Sequence, residues 1–207
     1  MTLTLPLFLE HFGVCVGAIT GVLAAREKRV DLFGVLVLAL VTAFGGGTLR
    51  DLLVGDLPVR WLRGSGLLLN VTATALVTFI VARYRKPPHR ALLIADAFVL
   101  AVFAMIGTQK GIALGFSAPV CVLLGVVTGV AGGIMRDVLT GEVPLVFRRE
   151  IHLYATAALS GAALCVVLEF ASLGETIATL AGAALVLALR LAGIYWKLSL
   201  PLFETRS

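Results

Sequence analysis

The sequence predicts an all-α membrane protein with seven transmembrane helices, built as an inverted 3+3 repeat (helices 1–3 and 4–6) plus a C-terminal seventh helix. Three observations lead to this fold. The 207 residues are 59% hydrophobic and only 14% charged, whereas a soluble domain carries about a quarter charged residues. Seven apolar segments are long enough, or nearly so, to cross a bilayer. Two stretches of the chain match each other at a fixed spacing of 86 residues.

Seven segments are predicted to span the membrane, at 5–25, 31–54, 65–82, 91–109, 115–139, 151–170 and 175–195. A spanning helix needs roughly 20 mostly apolar residues, and charged or proline-containing stretches separate these segments. We therefore expect a single transmembrane domain over 1–207. Within it, repeat one covers about 5–86, repeat two about 91–171, and the extra helix about 175–195.

The distribution of Lys and Arg predicts the orientation of the chain. With seven spans the two termini lie on opposite faces, and one face collects twelve basic residues while the other has three, Arg60, Arg63 and Lys110. The twelve are Arg26, Lys28, Arg29, Arg83, Arg85, Lys86, Arg90, Arg148, Arg149, Arg190, Lys197 and Arg206. Because cytoplasmic loops carry the excess of basic residues, the N-terminus is predicted outside and the C-terminus in the cytoplasm.

An internal repeat connects the two halves. Segment 45–63, GGGTLRDLLVGDLPVRWLR, aligns without gaps on 131–149, AGGIMRDVLTGEVPLVFRR, with eight of nineteen positions identical. The identities include both Arg-Asp pairs and, at the end, Arg63 with Arg149. Each half has three helices, so the second half enters the membrane from the opposite side and the repeat is inverted. Inverted duplication is typical of proteins that move solutes, although a duplication that serves packing alone is an alternative.

Consecutive glycines mark the centres of helices 2 and 5: Gly45, Gly46 and Gly47 in the first, Gly132 and Gly133 in the second. Each glycine costs roughly 1 kcal/mol in a helix interior, so a compensating role is expected. The glycines either kink the helices and expose carbonyls to a pore or let the two helices pack closely. The sequence leaves both interpretations open.

Two Arg-Asp pairs follow the glycines, Arg50 with Asp51 and Arg136 with Asp137. A charge deep in a span costs several kcal/mol unless it is paired or hydrated. Because adjacent helical residues point about 100° apart, we expect crossed pairs, Arg50 with Asp137 and Arg136 with Asp51, across the pseudo-two-fold axis. The alternatives are that each arginine binds carbonyls exposed by the opposite kink, or that the four residues form a purely structural network.

Three further charged residues are candidates for the mouths of a pathway. Glu10 and Asp96 lie near the starts of helices 1 and 4, at equivalent positions of the two halves. Each is either a helix-start acid favoured by the helix dipole or an acid at a pore mouth, which would favour cations. A surplus of two negative charges within the spans supports the second interpretation. Lys110 is either an interfacial anchor or a cation at a mouth.

The sequence carries no signature of an enzyme or of a cofactor site. It lacks the phosphate-binding loop, zinc-protease, hydrolase and dinucleotide motifs. Cys15, Cys121 and Cys165 lie in apolar runs without metal-binding spacing. We therefore expect no catalytic activity, no cofactor, no metal site and no nucleic-acid partner. The expected partner at this point is membrane lipid.

The repeated segments are similar to the paired signatures of prokaryotic trimeric intracellular cation (TRIC) channels. GGGTLRDLLVGDLPVRW, GGIMRDVLTGEVPLVFRREIHLYATAALSGA and DAFVLAVFAMIGTQKG carry the resemblance, which covers essentially residues 8–195. It implies a homotrimer, a separate pore in each protomer between kinked helices 2 and 5, and conduction of monovalent cations, chiefly potassium. Bacterial relatives are also labelled glycine transporters, which keeps a small-solute secondary transporter as the alternative.

The resemblance also implies a pore region, to which the charge pattern adds Glu10. Its residues are Gly45, Gly46, Gly47, Arg50, Asp51, Gly132, Gly133, Arg136 and Asp137, with Asp96 and Lys110. Animal members of the family carry a Lys-Glu motif in helix 2 that contacts lipid headgroups. This chain has Arg50 and Asp51 there, so that lipid regulation is not implied.

Overall fold

The structure is a computed structural model that describes residues 5–26, 28, 30–88, 90–148 and 153–196, and for residues 5 and 6 it describes the backbone alone. The described residues form seven α-helices and two short 3-10 helices, Arg60–Arg63 and Leu145–Phe147. The α-helices are α1 Leu5–Ala25, α2 Leu32–Leu53, α3 Ser65–Tyr84, α4 Ala91–Ala113, α5 Ala118–Leu139, α6 Tyr154–Phe170 and α7 Glu175–Trp196.

Six of these helices are long and apolar enough to cross a membrane, and the seventh, α6, is a shorter apolar helix. At 17 residues and about 1.5 Å per residue, α6 extends roughly 25 Å against a hydrocarbon core of roughly 30 Å. Its predicted start at 151 lies outside the described residues. The prediction of an all-α fold with seven helices is confirmed.

Local signals in the sequence set the ends of α2 and α5. The Asp31 side chain caps α2 by accepting a hydrogen bond from Gly34 N at 2.8 Å, and Pro119 lies in the first turn of α5. After each helix the chain turns through a glycine in the left-handed region, Gly55 with φ 68° and Gly141 with φ 71°. Only glycine adopts this conformation at little cost, so both halves reverse direction in the same way.

The helices pack as two related groups that meet along α2 and α5. Within the first group α1 contacts α2 and α3, and within the second α4 contacts α5 and α6. Between the groups α1 packs on α4 and α2 on α5, while α7 lies against α4 and α6. We call the surface where α1 begins and α2 and α4 end the first face, and the opposite surface the second face.

The crossing of α2 and α5 is reciprocal. A Cβ atom on Gly46 would lie 2.0 Å from Thr128 O, and one on Gly132 would lie 2.4 Å from Thr42 O. Thr42 and Thr128 are themselves 86 positions apart, so the two contacts exchange under a two-fold axis. The inverted repeat is confirmed, and Gly46 and Gly132 are required because the two backbones touch at this point.

The gapless alignment holds only as far as the turn after each helix. Arg63 Nε donates to Pro58 O at 2.8 Å, and the equivalent bond in the second half comes from Arg148, whose Nε donates to Val143 O at 2.6 Å. The second loop is therefore one residue shorter. The predicted match of Arg63 with Arg149 is wrong by one position, and Arg149 itself lies outside the described residues.

Candidate ion pathway

A cavity of about 320 Å³ opens at the first face, between α1, α2, α4 and α7. Its lining mixes both signs of charge with neutral polar groups. The polar lining residues are Glu10, Arg50, Asp56, Arg60, Arg63, Gln109, Lys110, Glu175 and Thr179. Three predicted site residues, Glu10, Arg50 and Lys110, thus meet at one cavity.

Arg50 forms its ion pair with its own neighbour in sequence. Its Nε and Nη2 atoms donate to Asp51 Oδ1 at 2.9 and 2.7 Å, and Arg136 Nε donates to Asp137 Oδ1 at 2.8 Å. The predicted crossed pairs, Arg50 with Asp137 and Arg136 with Asp51, are therefore wrong. The 100° between adjacent residues separates their Cβ atoms, but an arginine side chain is long enough to fold back over that gap.

The two aspartates also hold the loops that follow their helices. Asp51 Oδ2 accepts a hydrogen bond from Arg60 N at 2.9 Å, and Asp137 Oδ2 accepts one from Leu145 N at 2.8 Å. Arg60 and Leu145 begin the two 3-10 helices, whose first N–H groups have no partner within the helix. Each aspartate therefore balances a buried guanidinium and fixes a loop over the end of its own helix.

Asp96 belongs to the buried interior rather than to a helix start. Arg136 Nη1 donates to Asp96 Oδ1 at 2.9 Å, and the two residues are 0% and 2% exposed. Asp96 is the sixth residue of α4, beyond the first turn where a helix dipole would favour it. Both interpretations made from the sequence, a helix-start acid and an exposed acid at a mouth, are incorrect for Asp96.

Glu10 lies at the first face, where Arg60 balances its charge. The Arg60 Nε atom donates to both Glu10 carboxylate oxygens at 3.0 Å. With Asp96 paired as well, neither acid offers an unbalanced negative charge at a mouth. The inference of cation preference from acidic mouths loses its support, since it omitted Arg60 and the buried Arg190.

Arg190 is the functional candidate that the sequence assigned wrongly. The charge pattern places it among the basic residues of one membrane face, yet it lies inside α7 and is 0% exposed. Its Cζ atom lies 4.5 Å from the centre of the Tyr154 ring, and its Nη2 atom lies 4.0 Å from Asp96 Oδ2. A charge inside the apolar run 175–195 was the signal that could have identified it.

Matching ion-pair clusters connect the two halves at both faces. At the first face Lys110 Nζ lies 2.5 Å from Asp56 Oδ2, and Arg63 contacts the other carboxylate oxygen. At the second face Lys28 Nζ lies 2.7 Å from Glu142 Oε1, and Arg148 Nη2 lies 3.1 Å from Glu142 Oε2. In each cluster the lysine comes from the other half. Lys110 is thus a bridging residue at the cavity mouth.

The lysine and arginine contacts in these two clusters favour the charged forms of Asp56 and Glu142. Hydrogen bonds from Lys110, then Arg63, lower the pKa of Asp56 from 3.8 to about 2. Lys28, by hydrogen bond and charge, lowers the pKa of Glu142, and Arg148 adds to the effect. Both carboxylates therefore stay charged at neutral pH, and both clusters remain intact.

The glycines of α2 and α5 have different surroundings. Gly45 lies against Met135 and Gly132, whereas Gly47 has open space beside it, the nearest atom to a Cβ there being Arg50 Nη2 at 3.9 Å. A Cβ on Gly133 would lie 3.3 Å from the Tyr154 hydroxyl and 3.4 Å from Asp96 Oδ1. Both helices are continuous through these glycines. Close packing accounts for Gly45, Gly46 and Gly132, while a kink in either helix stays a prediction.

The charged groups together form what we call the polar seam: Glu10, Arg50, Asp51, Asp96, Arg136, Asp137 and Arg190. It runs from the cavity at the first face, past the α2–α5 crossing, to the buried cluster near the second face. Six helices in two inverted halves, with α7 packed beside them, surround this seam. They define an inverted-repeat membrane protein with charged residues in its interior.

The chain belongs to the glycine transporter family, whose model matches residues 7–83 and 93–169. The two matches are separated by the same 86 residues as the internal repeat. The chain is 41% identical over 198 residues to the UPF0126 inner membrane protein YadS of Escherichia coli K12, covering 95% of each. It is 40% identical over 198 residues to a UPF0126 membrane protein of Vibrio cholerae, covering 94% of this chain and 81% of the relative.

Solved structures of TRIC channels share the fold. The TRIC trimeric intracellular cation channel orthologue from Rhodobacter sphaeroides superposes with a TM-score of 0.89 at 38% identity, covering 94% of this chain and 100% of that one. A second TRIC cation channel superposes with a TM-score of 0.86 at 32% identity, covering 97% of this chain and 98% of that one. The predicted resemblance to the TRIC family is confirmed, and these neighbours are ion channels rather than enzymes.

Proposed function

We propose that this protein is a monovalent cation channel, permeable to potassium, with a pore in each protomer that passes between α2 and α5. The observation that carries the proposal is the buried charge on either side of the α2–α5 crossing, Arg50 with Asp51 and Arg136 with Asp137. The glycine contact at the crossing itself closes the path in this structure. Ionisable residues inside a bilayer are rare and costly, and they mark ion or substrate pathways.

The geometry supports a path that is hydrated at one end and closed at the other. Arg50 is only 6% exposed, and it lines the cavity at the first face. Beyond the crossing, Arg136 and Asp96 are sealed from solvent. A conducting state would require water to reach this second group, and the pairs already present would then be screened rather than broken.

Self-association is supported by the solved relatives, one of which is described as a trimeric intracellular cation channel. We propose that this chain likewise forms a homotrimer. Large apolar side chains stand exposed along α3, for example Leu69 at 65% and Val77 at 61%. In the membrane these surfaces would be covered by lipid or by a neighbouring protomer.

The protein is a multi-pass membrane protein with inner-membrane relatives. We propose that the first face is external and the second cytoplasmic, with the N-terminus outside. Removing the buried Arg190 from the count leaves the loop charges heavily biased toward the second face, as the positive-inside rule requires. Monovalent ions (K+ or Na+) in the pore are the only expected ligands besides lipid.

A glycine-like secondary transporter is the second candidate. The family description supports it, and so does the cavity at the first face, which has room for a small zwitterion at about 320 Å³. A carrier working by alternating access would open the cavity to each face in turn. The two functions differ in turnover, since a carrier moves solute by saturable steps that are far slower than ion flow.

The deciding experiment measures potassium flux and glycine uptake in liposomes of the purified protein under matched gradients. The channel proposal expects potassium flux that does not saturate at physiological concentrations, and no glycine uptake above protein-free liposomes. Arg50→Gln removes a cation that repels K+ beside the path, so it should raise potassium flux. The control Arg83→Gln, at an exposed position on the second face, should leave flux unchanged. Saturable glycine uptake without potassium flux would contradict the channel.

A further inference from the structure

The polar seam is asymmetric, although the sequence repeat that builds it is nearly symmetric. In the first half Glu10 turns outward to Arg60, and Arg50 borders the open cavity. In the second half the equivalent acid, Asp96, turns inward to Arg136 at 2.9 Å. The seam is thus open toward the first face and closed toward the second.

The sequence explains why Asp96 cannot turn outward as Glu10 does. The position equivalent to Arg60, at the start of the second 3-10 helix, is occupied by Leu145, which is buried. That position therefore carries no basic side chain that could draw Asp96 toward the second face. The acid instead remains with Arg136 inside the protein.

A second arginine reaches the same acid from outside the repeat. Arg190 belongs to α7, which has no counterpart in either half. Its guanidinium lies over the Tyr154 ring and 4.0 Å from Asp96. The buried group of Asp96, Asp137, Arg136 and Arg190 is therefore balanced, with two charges of each sign.

We propose that Arg190 is a positioning residue that locks the second half of the seam closed. This inference rests on the proposed channel function and adds a regulatory element to it. With Arg190 in place the cluster is neutral and sealed from solvent, so a cation gains nothing by entering it. Without Arg190 the cluster carries one net negative charge, which a low-dielectric interior disfavours strongly unless water or a cation reaches it.

Two orphaned polar atoms support the same conclusion. Asp96 Oδ2 and Arg136 Nη2 are buried and have no hydrogen-bond partner among the described residues. Buried polar groups without partners are costly, so this closed arrangement is held by surrounding packing and charge balance. Water molecules would supply hydrogen bonds to both atoms. Once the cluster opens, these hydrogen bonds therefore favour a hydrated, conducting state.

The test compares Arg190→Gln with Arg190→Lys and with a matched control. Arg90→Gln is that control, because Arg90 also joins α4 to α7, with its Cζ atom 5.3 Å from the Tyr195 ring centre, but lies outside the cluster. In liposomes Arg190→Gln should raise potassium flux on the order of tenfold or more. Arg190→Lys, which keeps the charge, should restore flux toward wild type, and Arg90→Gln should not change it.

A second readout detects the lock without relying on transport. Ala97→Cys, in protein whose three native cysteines are replaced by alanine, places a thiol beside Asp96 at a position that is 0% exposed. A membrane-impermeant thiol reagent added at the second face should label it in the Arg190→Gln background and not with Arg190 present. If Arg190→Gln folds poorly, the double variant Asp96→Asn/Arg190→Gln is tested, because it keeps the cluster neutral. It should show neither increased potassium flux nor labelling of the introduced thiol.

Each outcome separates the lock from the channel. If wild type conducts potassium and a correctly assembled Arg190→Gln variant shows equal or lower flux without new labelling, the lock is refuted. The channel proposal would still stand. New labelling without potassium flux in any variant supports the lock and overturns the channel. A gain in flux that Arg190→Lys shares in full would show that the charge of Arg190 is not what holds the cluster closed.

Discussion

The reciprocal glycine contact between α2 and α5 predicts a steep difference between neighbouring Gly→Ala substitutions. In Gly46→Ala the new methyl would lie 2.0 Å from Thr128 O, a backbone atom that cannot rotate away. An ordinary C···O contact is about 3.3 Å, so the helices must separate by about 1.3 Å. At Gly47→Ala the nearest atom is 3.9 Å away, and the methyl fits without movement.

The two substitutions should change the free energy of unfolding in opposite directions. Alanine is favoured over glycine in a helix by about 1 kcal/mol, and overpacking costs about 1–3 kcal/mol, toward the upper end where the neighbour is backbone. Gly46→Ala should therefore lose about 2 kcal/mol of unfolding free energy, and Gly47→Ala should gain up to about 1 kcal/mol. For a chain of this size the melting temperature should fall by about 4–8 °C for Gly46→Ala and rise by about 2–4 °C for Gly47→Ala.

Thermal unfolding of the detergent-purified protein, followed by near-UV circular dichroism, measures these shifts. Gly132→Ala is the symmetry-related test, since its methyl would lie 2.4 Å from Thr42 O. Its melting temperature should fall as that of Gly46→Ala does. Equal melting temperatures for Gly46→Ala and Gly47→Ala would refute the contact between the two backbones, and with it the packing role of these glycines.

Other predictions follow from the ion pairs. Because its neighbours lower the pKa of Asp56 from 3.8 to about 2, its ion pairs stabilise the fold above pH 3.8 and are lost as pH falls through about 2; melting curves of wild type and Asp56→Asn should converge only below that window. Asp137→Asn removes a charge from a buried pair and should cost about 3–5 kcal/mol, measured by thermal melting, whereas an exposed control, Arg85→Gln, should not shift the melting temperature. Lys28→Gln should change the melting temperature little, because exposed ion pairs contribute little to stability; a clear drop would show that Lys28 does more than pair with Glu142.

Composition and repetition made the architecture predictable. The apolar runs, the matched Arg-Asp pairs and the odd number of helices per half led directly to an inverted membrane fold, because those features are local or countable. The same reasoning located the cavity residues Glu10, Arg50 and Lys110 without coordinates. A bilayer leaves few alternatives for such a chain, since every backbone polar group must be satisfied internally.

Side-chain partners were beyond the reach of the sequence. Whether Arg50 pairs with Asp51 or across the axis depends on rotamers, which neither spacing nor periodicity records. Arg148 is the structural equivalent of Arg63, but a second arginine follows it in the sequence. The shorter second loop therefore leaves no gap in the sequence alignment, which pairs Arg63 with Arg149 instead. The sequence does not distinguish the buried Arg190 from a surface arginine, because both look alike near the end of an apolar run.

The function of the seam is most directly tested by single-channel recording of the purified protein in planar bilayers with a potassium chloride gradient. A potassium-permeable pore should give resolvable unitary currents whose reversal potential lies close to that of potassium. A silent bilayer that nevertheless contains folded protein competent for glycine uptake, or currents that reverse near the chloride potential, would contradict it.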